Sequence, residues 1–447
     1  MPVIKTRPDW PFPVERSPIF YGWVIWLVSS VGFVMSIPGQ TMGMAVFTDH
    51  FIEAFGLSRT ELSIAYLLGT LGSSFFLTSA GRFYDESGAR VSMVASSIAL
   101  GLFVGYIACI DHVARYLSHT TEISPAAVTF PLILLGYFGV RFAGQGVLTN
   151  SSRNVLLVWF EKRRGLVVGA RSVFITLGFS LAPPFLALLI SHFGWRGALF
   201  VLAVIVGVVF SLTALVFIRD TPESCGLLPD GKVPGNGDER PAITGQTLAQ
   251  ARKSPVFWIY ALALTFYSMF GTAFIFHIVA IFAEAGRSPA EAFAYFFPLA
   301  LVSVSANLGS SWLSDRTRLK NLLVVKLMAF ILGAWGLLHL QQQSGYWTMV
   351  AGFGVCGGIW AAISNLAYIR FFGRQHLGQI SGLSMSLIVF GSAVGPALFS
   401  VGYDEFGTFH TTVWLSLAVL VALLIAAVII PQDEPVPPVQ GPPGGLP

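Results

Sequence analysis

The sequence predicts an all-α membrane protein, with twelve transmembrane helices in two six-helix bundles, and three observations predict it. Of the 447 residues 54% are hydrophobic and only 11% are charged, against about 25% charged in average soluble domains. So few charges cannot cover the surface of a soluble protein of this length. Twelve apolar stretches are each long enough for a bilayer core that needs roughly 20 residues per helix. A short charged signature also recurs, first as Gly81-Arg82-Phe83-Tyr84-Asp85-Glu86-Ser87-Gly88-Ala89-Arg90 and again as Ser311-Trp312-Leu313-Ser314-Asp315-Arg316-Thr317-Arg318-Leu319-Lys320. Its two aspartates are 230 residues apart, about half the chain. Each copy follows the second apolar helix of its half and precedes the third, which is the pattern of a duplicated bundle.

The N-tail, 1–19, is polar and Pro-rich; the apolar run from Phe20 can span and lacks a small-residue cleavage site, so it is expected to remain as the first helix, 20–47. Within it Pro38-Gly39 is expected to break the helix and free carbonyls that lipid cannot satisfy. Helices 59–82, 90–111, 127–156, 164–192 and 196–218 complete an N-terminal bundle, 20–218. A Pro-, Gly- and charge-rich linker, 219–254, reads as a flexible tether with a short amphipathic piece around 246–254. The C-terminal bundle, 255–431, holds helices 255–283, 289–313, 320–341, 346–369, 376–402 and 410–431, and a Pro/Gly-rich tail, 432–447, is expected to be disordered.

Lysine and arginine orient the chain. With the N-terminus inside, nineteen fall on inner segments, Lys326 among them, and four outside: Arg59, Arg115, Arg196 and Arg287. Both termini are therefore expected to be cytoplasmic, in a multi-pass protein of the plasma (inner) membrane. Nucleic-acid binding is excluded, because no basic cluster exceeds Lys162-Arg163-Arg164. Cys109, Cys225 and Cys356 are too scattered for a metal motif and read as free, buried thiols. No nucleophile–base set or metal cluster emerges, so neither an enzyme nor a cofactor is expected. A sensor built on a transporter fold would need a long extra-membrane domain, which is not seen.

The repeated signature resembles the loop motif G-x-x-x-D-(R/K)-x-G-(R/K)-(R/K) of the major facilitator superfamily. Gly81, Asp85, Gly88 and Arg90 match in the first copy, and Asp315, Arg316 and Lys320 in the second. Glu86 and Ala89 replace basic residues and Ser311 replaces the first Gly, so the two gates are not equivalent. The resemblance covers about 20–431. Phe20-Tyr21-Gly22-Trp23-Val24-Ile25, the linker run Pro222-Glu223 to Gly226-Leu227-Leu228-Pro229-Asp230-Gly231, Pro255-Val256-Phe257-Trp258 and Phe276-His277 look like the monocarboxylate-transporter-like and oxalate/formate-antiporter-like branch. Two departures stand against it: helix one lacks the lysine of animal monocarboxylate carriers, and helix eight offers Ser303 and Asn307 in place of their Asp/Arg pair. The glycine-dense antiporter signature of drug exporters is degraded at 178–184. The resemblance implies that Asp85 and Asp315 close the inner face by pairing with loop arginines and helix ends.

Polar residues in lipid need a reason, since a mid-membrane charge costs at least about 2.5–3.5 kcal/mol. Arg141 lies near the middle of helix four, with Gln145, Thr149 and Ser152 at spacings that share one α-helical face. It is expected either to contact the substrate or to hydrogen-bond carbonyls of helix one. Arg171, two turns into helix five, either snorkels to the interface or adds a second cation. His277 ends a stripe with Tyr267, Phe270 and Phe274 and is expected either to bind substrate or the coupled proton or to be a satisfied core residue. Gln40, Tyr267, Asn307, Trp360 and Asn365 are expected to shape the pocket. Asp49, Glu61, Asp111, Glu284 and Glu291 all sit at outer helix ends, which disfavours cation and Na⁺ sites. A positive core prefers an anion, whose carboxylate an arginine holds bidentately. The expectation is a monomeric secondary transporter that moves a small organic anion, monocarboxylate in type, across the lipid bilayer with proton symport. The substrate would bind between the halves near mid-membrane. An anion exchanger without proton coupling, or an exporter of another metabolite, is the alternative.

Overall fold

The structure is a computed structural model that describes residues 10–14, 17–121, 124–162, 164–231 and 244–432. Arg163, the centre of the linker and the tail lie outside the described residues, as do the N-tail cations Lys5, Arg7 and Arg16. Among the described residues ten helical stretches are long and apolar enough to cross a membrane. Two are double: Leu77–Thr121 turns at Gly88 (φ 86) and Arg164–Val204 at Gly194 (φ 68), left-handed backbone that favours glycine. Splitting both at these turns gives the twelve spans of the fold; helix two runs through Arg59–Ser74 before Leu77.

Packing divides the chain into two units. The first comprises Met1–Phe160, Phe174–Gly245 and Arg374–Ala393, the second Glu161–Val173, Gln246–Gly373 and Val394–Pro447. The opening turns of the helix from Arg164 thus belong to the second unit, and those of Leu377–Phe406 to the first.

In the first unit the broken first helix decides the packing. Gly22–Met35 stops at Ser36, a 3₁₀ turn spans Ile37–Gly39, and Thr41–Ala45 resumes. Gly39 lies where the fourth helix crosses: an added Cβ would sit 2.7 Å from the Gly144 Cα and 2.8 Å from the Gln145 amide nitrogen. Opposite the break, Arg141–Leu148 winds as π-helix inside an otherwise α-helical span, Pro125–Val140 before it and Thr149–Trp159 after it. Such wide turns cluster at functional sites. This corrects the expectation of an uninterrupted α-helical face from Arg141 to Ser152.

The second unit is built on an aromatic core. Phe270, Phe330 and Phe353 pack edge-on at 5.2–6.0 Å between centroids, with Phe274 on Phe353 at 5.6 Å. Edge-to-face geometry matches ring quadrupoles and adds about 0.5–1.5 kcal/mol per pair.

The linker is not a loose tether where it is described. Residues 219–231 form 3₁₀ turns Glu223–Cys225 and Pro229–Gly231, with Cys225 buried. Arg219 lies over the rings of Phe12 and Tyr21, and the Tyr21 hydroxyl donates to the Phe217 carbonyl at 2.8 Å. The Phe-Tyr-Gly-Trp entry and the linker run are two sides of one knot. The amphipathic piece is one short helix, Leu248–Ala251.

Gly39→Ala should lower the thermal unfolding midpoint of the detergent-purified protein, at a cost of about 1–3 kcal/mol for overpacking. Gly271→Ala, where an added Cβ meets nothing within 4 Å, should not lower it. Equal midpoints for the two variants would contradict the backbone crossing.

Candidate functional site

Both repeated aspartates seat on the free amides of a helix start. Asp85 Oδ1 accepts from the Gly378 amide at 2.7 Å and Oδ2 from the Gln379 amide at 2.8 Å, in the first turn of Leu377–Phe406. Asp315 Oδ1 accepts from the Gly165 amide at 2.8 Å and Oδ2 from the Leu166 amide at 3.1 Å, where Arg164–Val204 begins. First-turn amides have no partner in their own helix, and the helix dipole favours an anion there. Each aspartate, moreover, grips a helix from the opposite half of the sequence. Gly81 explains its place in the motif, because an added Cβ would overlap the Gly378 carbonyl.

The arginines around the two aspartates take different parts. The Arg90 guanidinium donates to the Ile218 carbonyl at 2.6 Å, while its amide is capped by Asp220 Oδ1 at 2.9 Å. Arg316 lies over the Trp312 ring at 3.7 Å. Arg370 stands beside Asp315 at 3.6 Å, and its guanidinium also donates to the Ser314 carbonyl at 2.7 Å, while Arg164 adds a second positive charge to the surroundings of Asp315. Glu86, standing where a base is usual, forms an exposed pair with Arg82. The linker contributes Glu223, paired at 2.7 Å with Arg374, four residues before the Gly378 amide, and Arg374 in turn donates to the Val158 carbonyl at 3.4 Å. Sequence reasoning passed over Glu223 because it sits in a run that composition marks as linker.

Arg141 is 2% exposed. Its Nη1 donates to the Gly39 carbonyl at 3.2 Å and to Thr41 Oγ1 at 3.4 Å, and the guanidinium carbon lies 5.2 Å from the Tyr66 ring centroid. The break in the first helix supplies that carbonyl. Gln40 donates to Ser36 Oγ at 3.1 Å and Thr149 Oγ1 at 3.4 Å, so a second set of bonds ties the first helix to the fourth beside that of Arg141.

In the second unit Tyr267 and Trp360 stand together, centroids 6.1 Å apart. Asn307 accepts from Ser311 Oγ at 3.1 Å, and Asn365 donates back to the Ala361 carbonyl at 2.6 Å. His277 is committed to Leu377–Phe406: Nε2 is 3.1 Å from the Pro396 carbonyl and 3.2 Å from Ser400 Oγ. Arg171 is 2% exposed and does not reach solvent by snorkelling. Lys326 requires a correction. Counted with the inner loops, it instead lies within Leu319–Leu338 and is 0% exposed. The apolar run from 319 hid it, since one lysine near a helix end reads as a loop charge.

The chain matches the family model described as Major Facilitator Superfamily over residues 28–396. It is 22% identical to the glycerol-3-phosphate transporter of Bacillus subtilis (strain 168) over 67% of this chain and 64% of that protein. It is 27% identical to Homo sapiens monocarboxylate transporter 11 over 68% of this chain and 63% of that protein. The chain thus spans less than two thirds of the length of either relative. Among solved structures, the E. coli fucose:proton symporter superposes with a TM-score of 0.65 at 16% identity, covering 93% of this chain and 100% of that one. That likeness shows the fold.

Burial raises the Asp315 carboxyl above the usual carboxylate range, against the pull of the two amides and Arg370. A carboxyl raised in the folded state adds stability below its ordinary pKa and loses it as pH rises through the raised value. Asp315→Asn removes that dependence. The unfolding midpoint of the wild type minus that of the variant should therefore fall as pH rises from the carboxylate range toward neutrality; a difference that grows with pH would show that Asp315 is not desolvated in this way.

Proposed function

Because the chain belongs to the major facilitator superfamily, we propose that it is a secondary active transporter of a small organic anion, monocarboxylate in type, working by alternating access with proton symport. Arg141 carries this reading. It is a buried guanidinium whose recorded partners are a carbonyl, a hydroxyl and a ring face, all neutral. Transferring an ion from water into a protein interior costs several kcal/mol unless a counter-charge or several hydrogen bonds return it. An organic anion supplies both, and a carboxylate or phosphate can engage two N–H groups of one arginine. The two curated relatives are named for glycerol 3-phosphate and monocarboxylates, both anionic near neutral pH.

Gln40, Tyr267, Asn307, Trp360, Asn365, Arg171 and His277 are assigned to the pocket, and Gly81, Asp85, Gly88, Arg90, Asp315 and Arg316 to the gates. Release of the two aspartate caps would free the helix starts they hold. The charge bias places both termini in the cytoplasm, in a plasma (inner) membrane protein. Moving Lys326 out of the inner loops leaves that bias intact.

Proteoliposomes loaded with the purified carrier test the reading, with radiolabelled L-lactate and glycerol 3-phosphate as probes. A charge-assisted hydrogen bond is worth about 1.5–3 kcal/mol, so Arg141→Ala should reduce uptake by roughly ten- to hundredfold. Arg141→Lys, a point charge without the planar fork, should fall between. Uptake indifferent to pH and unchanged in Arg141→Ala would sink the proposal. Trans-loaded substrate that accelerates uptake at fixed pH, with no response to a pH gradient, would point to exchange.

A further inference from the structure

Lys326 is fully buried within a membrane span, and neither the pocket nor the gates use it. It follows Leu319 by seven residues, about 10 Å along the axis of Leu319–Leu338. Its ammonium is deeper still, because its recorded partners lie near the middles of two other helices. Nζ is 3.1 Å from Cys356 Sγ, on Gln343–Phe372, and 4.1 Å from the ring centroid of Tyr267, on Pro255–Glu284. The Phe330 ring is next, at 5.7 Å. Arg90, Arg141 and Arg219, also buried, each donate to a main-chain carbonyl. Lys326 is recorded against a thiol and two ring faces.

This surrounding serves both protonation states. The ammonium donates to Cys356 Sγ and is attracted by the faces of Tyr267 and Phe330. The neutral amine keeps a lone pair that can accept the Cys356 S–H, so the contact with Sγ can persist in either state. The titratable groups recorded against it are Tyr267 and Cys356; among the described residues no carboxylate is recorded within ion-pair distance. At 0% exposure the group cannot trade its proton with water in this conformation. A coupled carrier needs such a site, because a proton site open to both sides would leak.

The lysine also stands directly behind the predicted pocket wall. The far edge of Tyr267 rests in a notch at Gly357, where an added Cβ would lie 2.9 Å from the phenol oxygen. Its ring then meets Trp360, whose buried Nε1 has no recorded partner. A charge appearing or vanishing 4.1 Å from one face of Tyr267 alters what the other side of that wall can bind. His277, the titratable side chain expected from the sequence, is ten residues further along the same helix and bonds to Pro396 and Ser400.

We propose that Lys326 is the proton-binding residue of the carrier, taking up and releasing the coupled proton at Nζ and passing its charge state to the substrate pocket through Tyr267. The proton leaves as H⁺ to water on one side and is regained from the other, and no other bond changes. This rests on the proton-coupled reading above. Replacing a buried ion by an apolar residue of similar volume is often tolerated, which makes Lys326→Met the first variant; Lys326→Gln, able to bond Cys356, is the second.

In proteoliposomes with L-lactate and glycerol 3-phosphate as probes, both variants should keep counterflow at fixed pH within about twofold. Accumulation driven by an inward proton gradient should fall at least about tenfold. Variants that still accumulate probe on a proton gradient would overturn the assignment. A second measurement does not depend on the substrate: potentiometric titration of purified protein between about pH 6 and 10 should show the wild type releasing about one proton per chain more than Lys326→Met. Equal proton counts would overturn the assignment even if neither probe is transported, whereas a missing proton with no transport of either probe would fault only the choice of anion.

Discussion

Helix ends and breaks leave backbone groups with no partner in their own helix, and at several of them, among the described residues, this chain supplies a charged side chain. Asp85 and Asp315 take the free amides of two helix starts, and Asp220 takes the Arg90 amide just past the left-handed turn at Gly88. On the acceptor side, Arg141 covers the Gly39 carbonyl at the break in the first helix, and Arg90 and Arg219 cover Ile218 where a helix has ended. Lys320 donates to the carbonyls of Val428 and Ile430 at the close of Phe409–Ile429. A charge held by main-chain dipoles costs less than a bare one, and the capped backbone costs less than an open one. The two penalties largely cancel.

That economy shapes the two aspartate caps. A carboxylate paired to an arginine would be held by two flexible side chains. One seated on two successive amides is held by the rigid start of a helix, so the cap and the helix move together or separate together. The same arrangement occurs twice, yet the surroundings differ: Asp315 has Arg370 beside it, whereas Arg374, four residues before the Gly378 amide that Asp85 holds, is drawn to Glu223 of the linker. The linker run therefore has a structural reason to carry an acid at that position.

What was legible in the sequence follows from which signals are local. Span length, the repeated aspartate hairpin and the Pro38-Gly39 break are each written within a few residues, and the structure places helices, turns and the broken first helix accordingly. The π-helical turns at 141–148 left no local mark, because the wide winding answers to the backbone of Gly39 crossing from another helix. The ordered linker was missed for a related reason. Proline, glycine and charge describe a loop equally well whether it is solvated or knotted around Tyr21 and Arg219. Of the candidate site, Arg141, Gln40 and Thr149 do come together, and so do Tyr267 and Trp360; His277 and Asn365 spend their recorded bonds within their own unit on carbonyls and a hydroxyl.

Lys326 shows why charge counting by segment has a blind spot. A lysine seven residues inside a helix can snorkel if its stem points along the surface toward an end, and then it is a loop charge in all but position. Whether it does so depends on what stands at the same depth on neighbouring helices. Here Cys356 and Tyr267 stand there, a soft acceptor and a ring face, and together they can hold a cation without a counter-ion. Neither is remarkable in its own helix: a cysteine in an apolar run reads as a small hydrophobe and a tyrosine as pocket lining. Only their meeting at one depth turns the lysine inward. The distinction between an orienting charge and an intramembrane one is a property of three helices at once, which no single segment of the sequence contains.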